Sequence, residues 1–207
     1  MVQIEKRTLV AALCVAALLA GCGSGELSLT EYVDQVNAVV EVAVEKGNKL
    51  TISGADVPDF SPQIMAAGIT RGLEEIRIPL QEAVDDIAPP DEVADLHDFL
   101  WDWHASFIAV EQELVARTMA TENTDEGWRA LSDSPEMLAY RAALVEGKQV
   151  CVDFQSRLDA TAQRGVFVDA PWLPSELTEM VEAGLGCEAF PEDPQDVYRY
   201  PSLKPPA

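Results

Sequence analysis

The chain has 207 residues, with 36 acidic side chains against 14 basic ones and a formal net charge of −22. A surface this acidic repels nucleic-acid phosphates and anionic lipid headgroups, so nucleic-acid binding is excluded and electrostatic membrane docking is not expected. Nearly half the residues are hydrophobic (48 %), enough to bury the core of a single domain.

The first element is a leader. Lys6 and Arg7 precede an apolar run from Thr8 to Leu19, shorter than the roughly 20 residues that span a bilayer. The run closes on Leu19-Ala20-Gly21-Cys22. A basic start, a short apolar stretch and a small-residue ending are the parts of a secretory signal. The closing tetrapeptide resembles the lipobox of bacterial lipoproteins, in which the cysteine thiol is acylated and the bond before it is cut. The resemblance covers the first 22 residues. It implies a signal peptide over residues 1–21, lipidation of Cys22, and a bacterial membrane location with the domain outside the cytoplasm. Partners on this reading are the lipid bilayer, through acylated Cys22, and an envelope protein or a small solute. Residues 22–27, with Gly23-Ser24-Gly25, read as a flexible tether.

The chain has four cysteines. Cys14 leaves with the leader and Cys22 is consumed by lipidation. Cys151 and Cys187 remain, an even pair in an exported chain, and are expected to form a disulfide. In the chain-entropy model a bridge closing such a loop contributes about 4 kcal/mol.

The domain proper is expected over residues 28–189. Ser28 and Glu31 have capping-box spacing, and Leu29, Val33, Val36, Val40 and Ala43 recur at helical intervals. Gly47 and Asn48 are the expected stop. Ser61-Pro62 opens a second helix along Met65, Ile69, Leu73, Ile76, Leu80, Val84 and Ile87. Pro79 should kink it, and Pro89-Pro90 should end it. The segment Ile87-Ala88-Pro89-Pro90-Asp91-Glu92-Val93, followed by His97, resembles a helical-hairpin signature of uncharacterised bacterial lipoproteins, which implies fold more than activity.

Asp91 is expected to open the longest helix, reaching about Met119. One apolar line runs Val93, Leu96, Leu100, Trp103, Phe107, Val110, Leu114. A second lies about 90° around the axis: His97, Trp101, His104, Ile108, Glu111, Val115. So wide an apolar arc needs neighbours on two sides, which makes this helix the central one. Residues 121–133 read as a polar connection with one turn around Trp128. Ser134-Pro135 starts another helix with Leu144, Gly147, Cys151, Phe154, Leu158 and Thr161 inward, ended by Gly165. A short last helix follows Leu173-Pro174-Ser175, with Leu177, Met180, Val181 and Leu185 on one face and Gly186 as its stop. Residues 190–207 are Pro-rich and aperiodic, and read as an extended or disordered tail. With no period-two strand pattern, the expected fold is all-α: an antiparallel four-helix bundle with a short additional C-terminal helix stapled by the disulfide.

The candidate ligand or metal residues are His97, His104 and Glu111, with Trp101 and Trp103 as an aromatic wall. The histidines are the only two in the chain, and His97, His104 and Glu111 stand seven residues apart on an otherwise apolar arc. Buried polar groups need partners. Seven residues span about 10 Å of helix, too far for both imidazoles to hold one ion. Each is therefore expected to satisfy a group on a facing helix. The alternative is a metal- or cofactor-dependent enzyme using this line. No G-x-S-x-G elbow, P-loop, dinucleotide fingerprint or EF-hand spacing occurs, so no catalytic residue is nominated and no cofactor is expected. Carboxylate pairs such as Glu74-Glu75 and Asp85-Asp86 fit a solvated acidic surface. The sequence points to a non-enzymatic interaction or solute-binding module of the cell envelope.

Overall fold

The computed structural model describes residues 27–50, 60–170, 172–178, 193 and 197–199. Among these residues every regular element is helical: six α-helices and one π-helical turn, with no strand. None of the helices is long and apolar enough to cross a membrane. Residues 1–26, and with them the leader, the lipobox and Cys22, lie outside the described residues, as does Cys187.

The first helix, α1, spans Leu29–Leu50 and begins as its capping box requires. The Ser28 amide and hydroxyl donate to Glu31 Oε2 at 3.0 and 2.7 Å, and the Glu31 amide donates back to Ser28 Oγ at 3.3 Å. Tyr32, Val33, Val36, Val40 and Ala43 are buried. The expected stop at Gly47-Asn48 does not operate, and the helix continues to Leu50. Gly47 sits against the neighbouring helix, where an added Cβ would lie 3.8 Å from Ile76 Cδ1. An interior glycine costs about 1 kcal/mol, which helix packing outweighs.

The Met65-to-Ile87 stripe forms a continuous helical run in three parts: α2 (Pro62–Gly72), a π-helical turn (Leu73–Arg77) and α3 (Ile78–Asp85). Ser61 Oγ caps the start by accepting from the Ile64 amide at 3.3 Å. The disturbance expected at Pro79 takes the form of this π turn, with the Ile78 amide bonded five residues back to the Leu73 carbonyl. Pro79 has no amide proton, and its ring would collide with the carbonyl of residue 75 in a regular turn. The wider turn absorbs both problems without ending the helix.

Helix α4 (Ala94–Met119) starts three residues later than Asp91. Residues 91–93 first close a turn on the Pro90 carbonyl, whose partner is the Val93 amide at 3.0 Å, and Val93 takes the N-cap position with no side-chain cap. Both expected lines are buried along most of α4. The most extensive helix contacts of α4 among the described residues are with α6 (Pro135–Gln163) and α2.

The connection at 121–133 is a helix rather than a polar link. α5 spans Asp125–Ser132, with Thr124 Oγ1 accepting from the Gly127 amide at 3.0 Å. Gly127 must be glycine here, since a Cβ would come within 2.2 Å of the Glu122 carbonyl oxygen. Trp128 is fully buried, donates from Nε1 to Asn123 Oδ1 at 2.9 Å, and stacks on Phe60. With Met65, Leu114, Leu131 and Met137 it forms a second core beside the main one. The polar residues around it conceal a strongly amphipathic two-turn helix.

Helix α6 begins at the Ser134 cap and buries Leu144, Gly147, Phe154, Leu158 and Thr161, as its stripe requires. Cys151 is half-buried against the main core. Gly165 follows the helix in the left-handed region (φ 79°). Residues 173–178 are helical and bury Leu173 and Leu177 in the main core. The rest of the expected last helix, including Met180, Val181, Leu185 and Gly186, lies outside the described residues.

Candidate functional site

The polar line of α4 does not converge on one point. His97, 8 % exposed, has its Nδ1 3.1 Å from the hydroxyl of Tyr32 on α1. His104, 2 % exposed, has its Nδ1 2.8 Å from Oε1 of Gln81 on α3. Gln81 Nε2 donates to Asp85 Oδ1 at 2.7 Å, which turns its amide oxygen toward the imidazole. That oxygen can only accept, so Nδ1 carries the His104 proton. Glu111, 4 % exposed, meets a third element: its Oε2 lies 2.7 Å from Nε of Arg77 in the π turn. Two turns of helix separate each member from the next, and each faces a different element. Among the described residues no three His, Cys, Asp or Glu side chains are placed to hold a metal ion.

Burial sets the protonation of this line. It pushes the His97 pKa down, against the opposing pull of Asp98, Asp85 and Asp102. It pushes His104 down to about 4, with Arg77 adding to the shift and Asp85 opposing it. Both imidazoles are thus neutral at neutral pH. Burial raises the Glu111 pKa, and Arg77 pulls the other way.

Of the two tryptophans expected as a wall, only Trp101 touches the histidines, tilted on His97 and edge-on to His104 with ring centroids 6.5 and 5.6 Å apart. Its buried Nε1 has no hydrogen-bond partner among the described residues. Trp103 belongs to the other line and stacks on Phe107 at 5.2 Å. Their sequence proximity places them on different faces of α4.

A cleft of about 720 Å³ opens at the Glu111 end. Phe60, Ile64, Met65 and Ile69 supply apolar walls, and Gly68 and Gly72 leave the surface of α2 bare. Arg71, Arg77 and Glu111 supply charge, and Ala67, Tyr140 and Tyr198 also line it. The Arg77 guanidinium lies over the Phe107 ring, 5.0 Å from its centroid. From Phe107 an aromatic file runs through Tyr140 (5.7 Å) to Tyr198 (5.9 Å). Burial raises both tyrosine pKa values, and Glu111 adds to each shift, so the phenols remain neutral.

Arg141 holds the far wall in place. It is 2 % exposed and donates to the Ser132 carbonyl and hydroxyl and to the carbonyls of Val197 and Tyr198, at 2.7 to 3.2 Å. Tyr198 adopts a left-handed conformation (φ 52°), uncommon for an aromatic residue. The four bonds fix that turn to the end of α5.

Of the candidate ligand or metal residues read from sequence, Glu111 alone lines the cleft. Arg77, Arg141, Tyr140 and Tyr198 were not anticipated. Arg77 follows an adjacent glutamate pair that reads as plain surface, and Arg141 acts across more than 50 residues. Comparison with protein-family models, with curated proteins and with solved structures gave no match.

Proposed function

We propose that this protein is a lipid-anchored, extracytoplasmic module of the bacterial cell envelope that binds a small solute without catalysing a reaction. The observation that carries the binding reading is the cleft: apolar walls around a few polar groups, at a volume typical of small-ligand sites. The anchor rests on Leu19-Ala20-Gly21-Cys22. Each buried acyl methylene contributes about 0.8 kcal/mol, so two or three chains hold a domain at a bilayer whatever its surface charge. The same reading includes an antiparallel four-helix bundle and a Cys151–Cys187 disulfide tying the last helix to α6. The half-buried position of Cys151 beside the core supports it.

Mass spectrometry of the protein extracted from its native membrane tests each part. An acylated N-terminal Cys22 and a cross-linked Cys151–Cys187 peptide pair without reductant are expected; an unmodified Cys22 overturns the anchor. Intact-complex spectra should show a small molecule that leaves on activation and is missing from Gly68→Leu. A wild-type protein with no such adduct overturns the binding reading.

A further inference from the structure

We propose that the cleft selects an uncharged amphiphile whose polar end sets an N–H or O–H donor beside a carbonyl acceptor, the donor meeting Glu111 and the acceptor meeting Arg77. The proposal rests on the solute-binding reading above and names the ligand class for the same site.

Three observations lead to it. The first is the chemistry at the polar end. A carboxylate, which only accepts, and a guanidinium, which only donates, stand 2.7 Å apart at the edge of the cleft. Their contact is close but not aligned: Glu111 Oε2 is buried and receives no directed hydrogen bond among the described residues. A buried acceptor in this condition gains from a donor brought by a ligand. A neighbouring donor and acceptor on one small group, as in a primary amide, a urea or a hydroxy ester, complement the two side chains together.

The second observation is charge. Arg77 and Glu111 cancel locally, and Arg71 at the rim is paired with Glu75 at 2.7 Å. An anion entering here meets a 4 %-exposed carboxylate, in a protein of formal net charge −22. A cation meets the guanidinium. An anion drawn to Arg77 leaves the buried Glu111 carboxylate uncompensated, a cation drawn to Glu111 is set against the guanidinium, and a neutral head does neither.

The third is the body of the cleft. Phe60, Ile64, Met65 and Ile69 face it, so the rest of the ligand is apolar. Among the described residues nothing lies within 4 Å of a Cβ added at Gly68 or Gly72, so the bare stretch of α2 leaves space that a flat or slender apolar group can fill. Tyr198, whose carbonyl is held by Arg141, lines the cleft as well.

Calorimetry on the full-length protein in phosphatidylcholine nanodiscs, blanked against empty discs, tests the assignment with three probes that share one apolar body. These are 1-naphthaleneacetamide (neutral, donor beside acceptor), 1-naphthaleneacetate (anion) and 1-naphthylmethylammonium (cation). The amide should bind at least about tenfold more tightly than either ion. Glu111→Gln keeps the shape but leaves Arg77 unbalanced, and should invert the preference toward the acetate. Gly68→Leu and Gly72→Leu fill the cleft from residues more helix-favouring than glycine. They should weaken amide binding at least about tenfold without lowering the unfolding midpoint.

Equal or tighter binding of either ion by the wild type overturns the proposal, as does no binding of the amide or an unchanged order in Glu111→Gln. If the order fails while Gly68→Leu still removes binding of whichever probe is favoured, the ligand class falls and the cleft remains a binding site. If the probes bind Gly68→Leu and Gly72→Leu as tightly as the wild type, both readings fall together.

Discussion

At the N-terminal half of α4, His97 and His104 are enclosed, neutral, and hydrogen-bonded to uncharged side chains of α1 and α3. Further along the same helix Glu111 is equally enclosed, yet it faces a cation and borders a cleft of about 720 Å³. Spacing and burial do not separate these positions. Partner and access do. A buried polar group whose need is met by one neutral neighbour is part of the interior. One that is held close but imperfectly, beside open volume, has capacity left for something arriving from outside.

Breaking the cleft end should cost most where its support is densest. Arg141→Ala leaves the Ser132, Val197 and Tyr198 groups without their buried donor, and is expected to lower stability by about 3 kcal/mol in urea denaturation. A loss within 0.5 kcal/mol would show that this wall is an ornament of the fold.

The histidine end should fail through pH instead. An unfolded His104 takes up its proton near pH 6.5, and the folded one only near pH 4. Between these values the unfolded state binds more protons. The stabilisation is therefore complete above about pH 6.5 and is lost as pH falls toward 4, by up to about 3 kcal/mol. His104→Asn should flatten that part of a stability–pH curve. Glu111 works in the opposite sense. Its raised pKa contributes stability below its ordinary value of 4.5, and that contribution disappears as pH rises through the folded value. The two ends of one helix thus have opposite pH responses.

Removing the cation sharpens the contrast. Arg77→Ala strands the Glu111 carboxylate. With Arg77 itself 38 % exposed, the expected cost is about 2 kcal/mol at neutral pH, less than for a fully buried pair. A double-mutant cycle with Glu111→Gln should recover most of it. The smallest effect belongs to the dry end: Tyr32→Phe deletes one neutral hydrogen bond to His97 and should cost about 1 kcal/mol, with the cleft's probe affinities unchanged.

Much of the helical plan was legible because it is written in local signals. The caps at Ser28, Ser61 and Ser134 each form the expected bond, and the apolar stripes face inward. The misjudgements share one cause, the weight of tertiary packing over local preference. Gly47-Asn48 is a stop in isolation and an ordinary stretch of helix once Ile76 lies against it. Thr124 through Leu131 reads as polar linker until Trp128 and Leu131 have a second core to enter. The candidate site was legible at one residue. Glu111 declared itself by sitting on an apolar arc, whereas Arg77 and Arg141 pair across distant parts of the chain. Nothing in composition signalled that Val197 and Tyr198 would be held by a buried arginine.

The π turn at Leu73–Arg77 has a consequence for how this helix tolerates change in length. A π turn holds one more residue than the α-helical turn it replaces, so everything beyond it is rotated by about 100° relative to an uninterrupted α-helix. Deleting one residue from the turn would swing Ile78–Asp85 through that angle and bring the Pro79 ring against the carbonyl four residues before it. Gln81 would then leave His104, and Leu80 and Val84 would leave the core. The extra residue acts as a phase spacer. It lets α2 line a cleft while α3, on the same rod, keeps its buried face aligned with α4.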